Sequence, residues 1–285
     1  MQRTTGDTMA RDEDGQHDDM PTPEGGTPDT GAAPRAIEPQ TRVRPSLSVL
    51  HTLPTQPTHP CPYRPGFIAR DRGFAVGAID PIIWQHLLDD GWRRSGTLIY
   101  EPACLVCNDC RSIRIPAHRF HLSRSQRRVV KRNRDVEVTI TDVQVTDERA
   151  ELYQRYITTR HDGLMTGTRR ELERFLGATC VDTFEIEYRL NNRLLAVGST
   201  DRLPNGLSCV YCYFDPDEPG RSLGTLNILH TIDLCRTQRA GREPAWVYLG
   251  YWVEGSKTMG YKSRFRPHEI RPPDGSWVPQ TDSRR

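Results

Sequence analysis

The 285-residue sequence predicts a mixed α/β (α+β) fold with a cysteine-bearing N-terminal region. Its composition, 35% hydrophobic and 27% charged, is typical of a globular protein with a core. Helical and strand-like patterns alternate along the second half of the chain. Four of the eight cysteines lie in the first half, and three of these are spaced three residues apart. We therefore expect a mixed sheet covered by helices, preceded by a region that carries the cysteine cluster.

The second half predicts helix, helix, three-strand meander, helix and strand, in that order. "TDERAELYQRYITTR" predicts a helix with Thr146 as N-cap, and "RRELERFLGA" predicts the next. Alternating residues between Thr183 and Pro216, with tight turns at "NN" and "PNG", predict three strands. "SLGTLNILHTIDLCRTQ" predicts an apolar helix, and "AWVYLGYWV" predicts a final buried strand.

The first half predicts shorter elements. "DPIIWQHLLDDG" predicts a helix that Asp80 caps and Gly91 ends. "SRSQRRVVKRN" predicts a helix that begins after Ser123 or Ser125 and ends at Asn133. "SLSVLHTLPT", "SIRIPAHRF" and "DVEVTITDVQV" predict strands, and "WRRSGTLIYEP" predicts a turn and a strand.

Composition also predicts the domain boundaries and the location. Residues 1–45 hold six prolines and five glycines, and we expect them to be disordered. We expect an N-terminal domain over 46–145, a C-terminal domain over 146–278 and a disordered tail over 279–285. The chain has no apolar run of transmembrane length and no apolar core of a secretory signal, so we expect a cytoplasmic protein.

The clustered cysteines predict a metal site. Cys104, Cys107 and Cys110 form C-x₂-C-x₂-C, and Cys61 in "CPYRPG" supplies a fourth thiol. In a cytoplasmic protein, clustered cysteines are more often metal ligands than disulfides. Four thiolates complete a tetrahedral zinc site, whereas three local cysteines and a distant one also suit an iron–sulfur cluster. We favour structural zinc, with the cluster as the alternative and packed free thiols as the simpler explanation.

A run of positive charge follows these cysteines directly. Nine Lys and Arg residues lie between Arg111 and Arg134 with no carboxylate among them, although the net charge of the chain is only +2. Five of them share a predicted helix: Arg124, Arg127, Arg128, Lys131 and Arg132. Like charges at this spacing repel, so the helix favours a polyanion such as the phosphates of a nucleic acid. A merely solvated basic face is the alternative.

Four separated motifs resemble those of the bacterial aminoacyl-tRNA–protein transferases, in the aspartate/glutamate leucyltransferase branch. They are "CPYRPG", "CLVCNDCRSIRIPAHRFHLSRSQRRVVKRN", "YFDPDEPGRSLGTLNILHTI" and "YLGYWVEGSKTMGYKSRFRP". The resemblance covers Leu47 to Trp277 and leaves out the first 45 residues. It implies that the C-terminal domain is a mixed sheet of the GCN5-related acyltransferase type.

The resemblance also implies an activity and its partners. Leucine would pass from leucyl-tRNA to the α-amine of proteins that begin with Asp or Glu, which marks them for N-degron proteolysis. The partners would be leucyl-tRNA and those acceptor proteins, without DNA or a membrane. No cofactor would be needed for the chemical step. Related enzymes transfer arginine, so arginyl-tRNA is the alternative donor.

The same resemblance assigns roles to residues. The helical cations would grip the tRNA, and a turn into the next helix would hold its terminal phosphates through Arg221, Gly224 and Thr225. Four residues would bind the acidic N-terminus of the acceptor: Lys257, Tyr261, Lys262 and Arg264. Tyr251 would orient the amine or the ribose, and Glu254 or Asp215 would accept the proton. Solvated charges, core packing and ordinary ion pairs are the simpler alternatives for these residues.

Two other classes of protein remain open on the sequence. A CoA-dependent N-acetyltransferase would share the second-half fold, but Leu226 stands where that fold usually has a small residue, and the basic run would have no task. A non-enzymatic zinc-ribbon RNA-binding protein explains the cysteines and arginines. It leaves the block "YLGYWVEGSKTMGYKSRFRP" without a purpose.

Overall fold

The structure, a computed structural model, describes residues 47–160, 165–242, 245–272 and 275–280. The segment predicted to be disordered, residues 1–45, lies outside the described residues. Of the predicted tail, residues 281–285 also lie outside, whereas residues 279 and 280 belong to a strand. No helix in the described part of the chain is both long enough and apolar enough to cross a membrane.

The described residues form α-helices and strands, joined by turns, loops and short 3₁₀ or π-helical segments. The helices are α1 (Pro81–Asp89), α2 (Arg124–Arg132), α3 (Asp147–Arg160), α4 (Arg169–Leu172) and α5 (Leu223–Gln238). The first strands are β1 (His59–Pro60), β2 (Ile68–Ala69), β3 (Asp71–Ala75), β4 (Arg93–Ser95), β5 (Leu98–Pro102), β6 (Arg111–Pro116) and β7 (Glu137–Asp142). The remaining strands are β8 (Thr183–Leu190), β9 (Arg193–Leu203), β10 (Gly206–Phe214), β11 (Trp246–Trp252), β12 (His268–Arg271) and β13 (Val278–Gln280).

One large mixed sheet organises the molecule. Its eight strands lie in the order β13-β12-β6-β11-β10-β9-β8-β7, and β3, β5 and β4 form a separate three-stranded sheet. Among the strands of the described residues, only β10 and β11 are parallel neighbours. This topology confirms the predicted mixed α/β class. Strands β6 and β7, which precede the expected domain boundary at residues 145 and 146, belong to the same sheet as the strands that follow it.

Most helices begin where the sequence predicts. The Asp80 side chain accepts hydrogen bonds from the first turn of α1. Ser123 and Gln126 form a capping box at the start of α2, which satisfies backbone N–H groups that have no partner within the helix. Two expectations are wrong: Leu47–Thr52 is a short 3₁₀ helix instead of a strand, and strands β12 and β13 follow the strand predicted to be last.

Hydrophobic residues on both faces of the large sheet form the core. Because side chains alternate along a strand, neighbouring residues of β11 face opposite ways. Val247 and Leu249 pack in the cluster that contains α5, whereas Tyr248 packs with α1 and the three-stranded sheet. Helices α3 and α4 pack with Tyr213 of β10 in a third cluster. Helix α2 lies on the α5 side, because Val129 and Val130 pack against that cluster.

The two parallel strands at the centre of the sheet are paired over only a short length. Strands β10 and β11 pair only over Gly206–Ser208 and Trp246–Tyr248. Each then has an irregularity against its other neighbour, between Cys209 and Tyr211 in β10 and between Tyr248 and Tyr251 in β11. Bulges of this kind bend a strand and end its pairing. The result is a cleft between two strands in the middle of the sheet.

Candidate active site

Two cavities extend along the cleft between β10 and β11. The first, the small-sheet cavity, has a volume of about 500 Å³ and is lined by Arg93, Arg94, Asp201, Tyr251 and Lys262 among others. The second, the helix cavity, has a volume of about 530 Å³ and lies at the start of α5. They share a wall formed by Cys209, Val210, Tyr211, Leu249, Met259 and Lys262.

Lys262 is a buried amine where the two cavities meet. Its side chain is 8% exposed, and Nζ donates a hydrogen bond of 2.8 Å to the carbonyl of Tyr251. Burial, together with the nearby Arg93 guanidinium, lowers the pKa of Lys262 to about 7, although the Cys209 thiol acts in the opposite direction. Burial raises the pKa of Cys209 to about 11, so that thiol is neutral near pH 7. An amine with a pKa of about 7 exchanges protons readily at neutral pH.

Arg93 and Arg94 are both buried in the small-sheet cavity, but their environments differ. Arg94 makes a two-point ion pair with Asp201, at 2.9 Å from Nε and 2.6 Å from Nη2. Arg93 donates only to the carbonyls of Leu88, Trp92 and Gly250. Burial lowers the pKa of Arg93, as expected for a guanidinium in the described part of the chain that has no carboxylate beside it. The cavity therefore holds a positive charge that is not neutralised.

The start of α5 opens into the helix cavity. Ser222 precedes the helix in the left-handed region at φ +56°, and no side chain of the described residues caps the first turn. Ser222, Gly224 and Thr225 line the cavity. Free backbone N–H groups at a helix start attract anions. Gly224 and Thr225 therefore lie at the wall of this cavity, and their binding of tRNA phosphates stays a prediction.

Arg221, predicted to bind phosphate in the same turn, is engaged elsewhere. Its guanidinium donates to both carboxylate oxygens of Asp135 at 2.9 and 3.0 Å, and to Glu218 at 3.2 Å. These contacts raise the pKa of Arg221. They also tie the turn to the segment that follows α2, so Arg221 positions the turn.

The four residues predicted to bind an acidic N-terminus do not all line the same cavity. Lys257, Tyr261 and Lys262 line the helix cavity, and of these only Lys262 also reaches the small-sheet cavity. Arg264 is exposed, and its carbonyl accepts a hydrogen bond from Gln126 of α2. Arg264 therefore extends the positive surface of α2.

Helix α2 presents its positive charge to solvent beside the helix cavity. All five predicted cations are exposed: Arg124, Arg127, Arg128, Lys131 and Arg132. Arg127 and Arg132 donate to backbone carbonyls, at Leu122 and Gly220. Within the described ranges, no carboxylate forms an ion pair with any of the five. The two ends of α2 contact the segments around Arg264 and Gly220, so the helix lies along the mouth of the helix cavity.

The predicted proton acceptors lie in less suitable places. Asp215 is fully buried, and its two oxygens accept from Arg155 at 2.6 Å and from Arg193 at 2.8 Å. Such a carboxylate already has its partners and anchors the end of β10. Glu254 is exposed in the turn after β11. The Tyr251 hydroxyl donates to the carbonyl of Gly91 at 2.8 Å, which leaves the ring as the part that faces the cavity.

Cys61, Cys104, Cys107 and Cys110 line one further cavity of about 440 Å³, the cysteine cavity. All four are free thiols, and burial plus the neighbouring thiols raises the pKa of Cys110 to about 12. A set of four soft sulfur donors fits zinc or an iron–sulfur cluster. As they stand, however, no three Cys, His, Asp or Glu side chains in the described ranges have the arrangement that holds a metal ion.

The sequence analysis missed Arg93. The signal was present in "WRRSG", where two consecutive arginines precede the predicted turn and strand. Both arginines are buried in the structure and line the small-sheet cavity. Which arginine would find a carboxylate depends on Asp201, more than one hundred residues away in the chain.

A cleft that combines a desolvated amine with an adjoining cationic helix suits a transferase that acts on a polyanionic substrate. Two family models match the chain: "Arginine-tRNA-protein transferase, N terminus" over residues 59–128 and "Arginine-tRNA-protein transferase, C terminus" over residues 148–271. The chain belongs to the arginine-tRNA–protein transferase family. It is therefore an enzyme, in agreement with the sequence prediction.

Individual proteins that are similar to this chain carry more specific names than the family models. The aspartate/glutamate leucyltransferase of Shewanella putrefaciens is 44% identical over 199 residues, which cover 69% of this chain and 83% of that protein. That of Hahella chejuensis is 40% identical over 242 residues, covering 81% and 99% respectively. Among solved structures, L-PGS from Bacillus licheniformis is similar at 10% identity and a TM-score of 0.41, over 70% of this chain and 64% of that one.

Proposed function

We propose that this enzyme transfers leucine from leucyl-tRNA to the N-terminal α-amine of proteins that begin with Asp or Glu, which marks them for N-degron proteolysis. The names of the relatives support both the donor and the acceptor. The observation that carries the proposal is the position of Lys262, a buried amine at the junction of two cavities. Transfer between two bound substrates requires their reacting ends to meet at one point.

The two cavities suit different substrates. The helix cavity, with the open start of α5 and the adjacent cations of α2, suits the charged end of a tRNA. The small-sheet cavity, with its unneutralised positive charge, suits an acidic peptide terminus. The reacting ester and amine then meet beside Lys262.

The chain's own residues account for the proton movements. The amine nitrogen attacks the ester carbonyl, a C–N bond forms, and the C–O bond to the ribose breaks. Neutral Lys262 takes a proton from the amine and returns one to the departing ribose oxygen. Lys262 ends the reaction in the neutral state in which it began. Because the amine attacks the ester directly, no covalent enzyme intermediate is required. Lys262 replaces Glu254 and Asp215 as the proposed proton acceptor.

The cysteine cavity supports a proposed structural metal. Cys61, Cys104, Cys107 and Cys110 line one cavity and would hold zinc or an iron–sulfur cluster once their side chains converge on it. The metal would join two segments of the chain and supply no chemical step. The proposed location is the cytoplasm, where charged tRNA is made, and the free state of all eight cysteines is consistent with it.

Incubation of the purified enzyme with charged tRNAs, one amino acid at a time, tests the function. Peptides that differ only in the first residue serve as acceptors, and the mass of each is measured. We expect a gain of one leucyl residue on Asp- and Glu-headed peptides with leucyl-tRNA. A gain of arginine instead would replace the donor, and no gain with any charged tRNA would remove the proposed function.

Removal of the Lys262 amine tests the proton acceptor. With a pKa of about 7, Lys262 becomes neutral as the pH rises through 7, so kcat/KM of the wild type should rise there and again with the peptide amine at about pH 8. Lys262→Met should lower kcat by about 10² to 10⁴ and leave only the ionisation of the peptide. Lys257→Met, an exposed neighbour on the same loop, should keep the ionisation near pH 7. Persistence of both ionisations in Lys262→Met would contradict the role.

Charge reversal on α2 tests the tRNA surface. Arg128→Glu with Lys131→Glu should weaken tRNA binding on the order of tenfold per lost phosphate contact at 0.1 M salt, and should make the salt dependence shallower. Arg170→Glu with Arg174→Glu is the matched control, because these exposed cations lie on the opposite side of the sheet. Equal effects of the two pairs, in filter binding across a salt series, would count against α2.

Metal analysis after anaerobic purification tests the cysteines. We expect the wild type to carry zinc or iron and Cys104→Ala with Cys107→Ala to carry neither, because three thiolates or more are needed for a stable site. Cys235→Ala, which alters a buried core thiol, should keep the metal. Absence of both metals from the wild type would rule the site out.

A further inference from the structure

Arg93 is a buried guanidinium that lacks a counter-ion. It is 6% exposed and lines the small-sheet cavity. Two cations lie near it: Arg271, and Lys262, whose pKa is lowered towards neutrality. The carboxylate that lines the same cavity, Asp201, is paired with Arg94. Buried charges are normally paired because desolvation is unfavourable. An unpaired one at a cavity wall indicates a site whose partner arrives with a ligand.

The hydrogen-bond donors of Arg93 show which part is available. A guanidinium has five N–H donors. Nη1 uses its two on the carbonyls of Leu88 and Trp92, and Nη2 uses one on the carbonyl of Gly250. Nε is buried and has no acceptor. Nε and Nη2 occupy one edge of the group, where a carboxylate accepts two parallel hydrogen bonds.

Room for one carbon atom exists close to this edge, between Arg93 and Lys262. Gly250 has φ +77°, and a β-carbon built on it would stand 4.0 Å from Arg93 Nε and 3.7 Å from Lys262 Nζ. No atom of a side chain occupies that point, because the residue is glycine. The guanidinium also lies 5.3 Å from the centre of the Tyr251 ring, whose hydroxyl is held by Gly91. The group is therefore fixed in orientation, and on one of its edges the Nε–H is desolvated and has no acceptor.

We propose that Arg93 selects the acidic first residue of the acceptor, by binding its side-chain carboxylate through Nε and Nη2. The inference rests on the proposed function and deepens it, since it identifies the residue that reads the acceptor. The α-amine of the same residue then lies towards Lys262. Asn and Gln place an amide in the same position, which brings no charge to neutralise Arg93.

Arg94 supplies a matched comparison inside the same cavity. It is adjacent in sequence and equally buried, but Asp201 already pairs with it. Loss of Arg94 should lower stability, because it leaves Asp201 buried and unpaired. It should not alter the choice between acidic and amide-headed acceptors.

The experiment compares Arg93→Gln with the wild type on peptides that begin with Asp or with Asn and are otherwise identical. Gln keeps a donor for the nearby carbonyls and removes the charge. We expect kcat/KM for the Asp peptide to fall about 10- to 150-fold, mainly through KM, with little change for the Asn peptide. Arg94→Gln should lower both in parallel. A folded Arg93→Gln with the wild-type ratio of Asp to Asn would overturn the inference.

Binding of the Asp-headed peptide without tRNA, measured by calorimetry, gives a second readout that does not need catalysis. Binding that depends on Arg93 in an enzyme that transfers nothing would sink the proposed function and sustain this inference. Should Arg93→Gln fail to fold, Arg93→Lys replaces it. Lysine retains the charge without the planar edge, so we expect binding of the Asp peptide to weaken about tenfold and that of the Asn peptide to stay unchanged. Equal affinity of Arg93→Lys and the wild type for the Asp peptide would overturn it.

Discussion

The separation of β10 from β11 is the constraint on which the site depends. A parallel pair that parts after three residues leaves backbone carbonyls of β11 without a strand partner. Buried carbonyls need hydrogen-bond donors. The carbonyl of Gly250 accepts from Arg93, and that of Tyr251 accepts from Lys262. The break in pairing therefore both opens the cleft and fixes the two cations that give it its chemistry.

The two cations respond differently to the same burial, and this difference suits them to the two proposed roles. Lysine can give up its proton, and the pKa of Lys262 falls to about 7. Arginine keeps its charge under all ordinary conditions, so Arg93 remains a cation although burial lowers its pKa. Carbonyl dipoles stabilise both groups without neutralising either. This pair suits a site that binds an acidic group through a permanent charge and catalyses transfer through an exchangeable proton.

Local patterns in the sequence predicted the helices and strands well. They predicted only part of the way in which distant residues come together at the site. Capping at Asp80 and Ser123 and the charge of α2 depend on neighbouring residues, and all three are as expected. The roles of Arg93 and Arg221 depend on whether a distant carboxylate reaches them, which sequence spacing does not reveal. Lys262 and Arg264 are two residues apart in sequence, yet one is buried and the other exposed. Their separation follows from the 3₁₀ turn at Gly260–Arg264, which no pattern indicated.

The cysteine cavity shares a wall with the small-sheet cavity. His59, Pro62, Tyr63, Tyr100 and Tyr251 line both that cavity and the small-sheet cavity. The first three flank Cys61, whose segment is joined to the strand and loop that follow by His59–Asp71 and Arg64–Asp109 contacts. A metal held by Cys61 and the cysteines of the 104–110 loop would fix this segment, and with it one side of the cavity that contains Arg93. The proposed metal would therefore affect the choice of acceptor through the shape of this cavity wall, without taking part in the reaction itself.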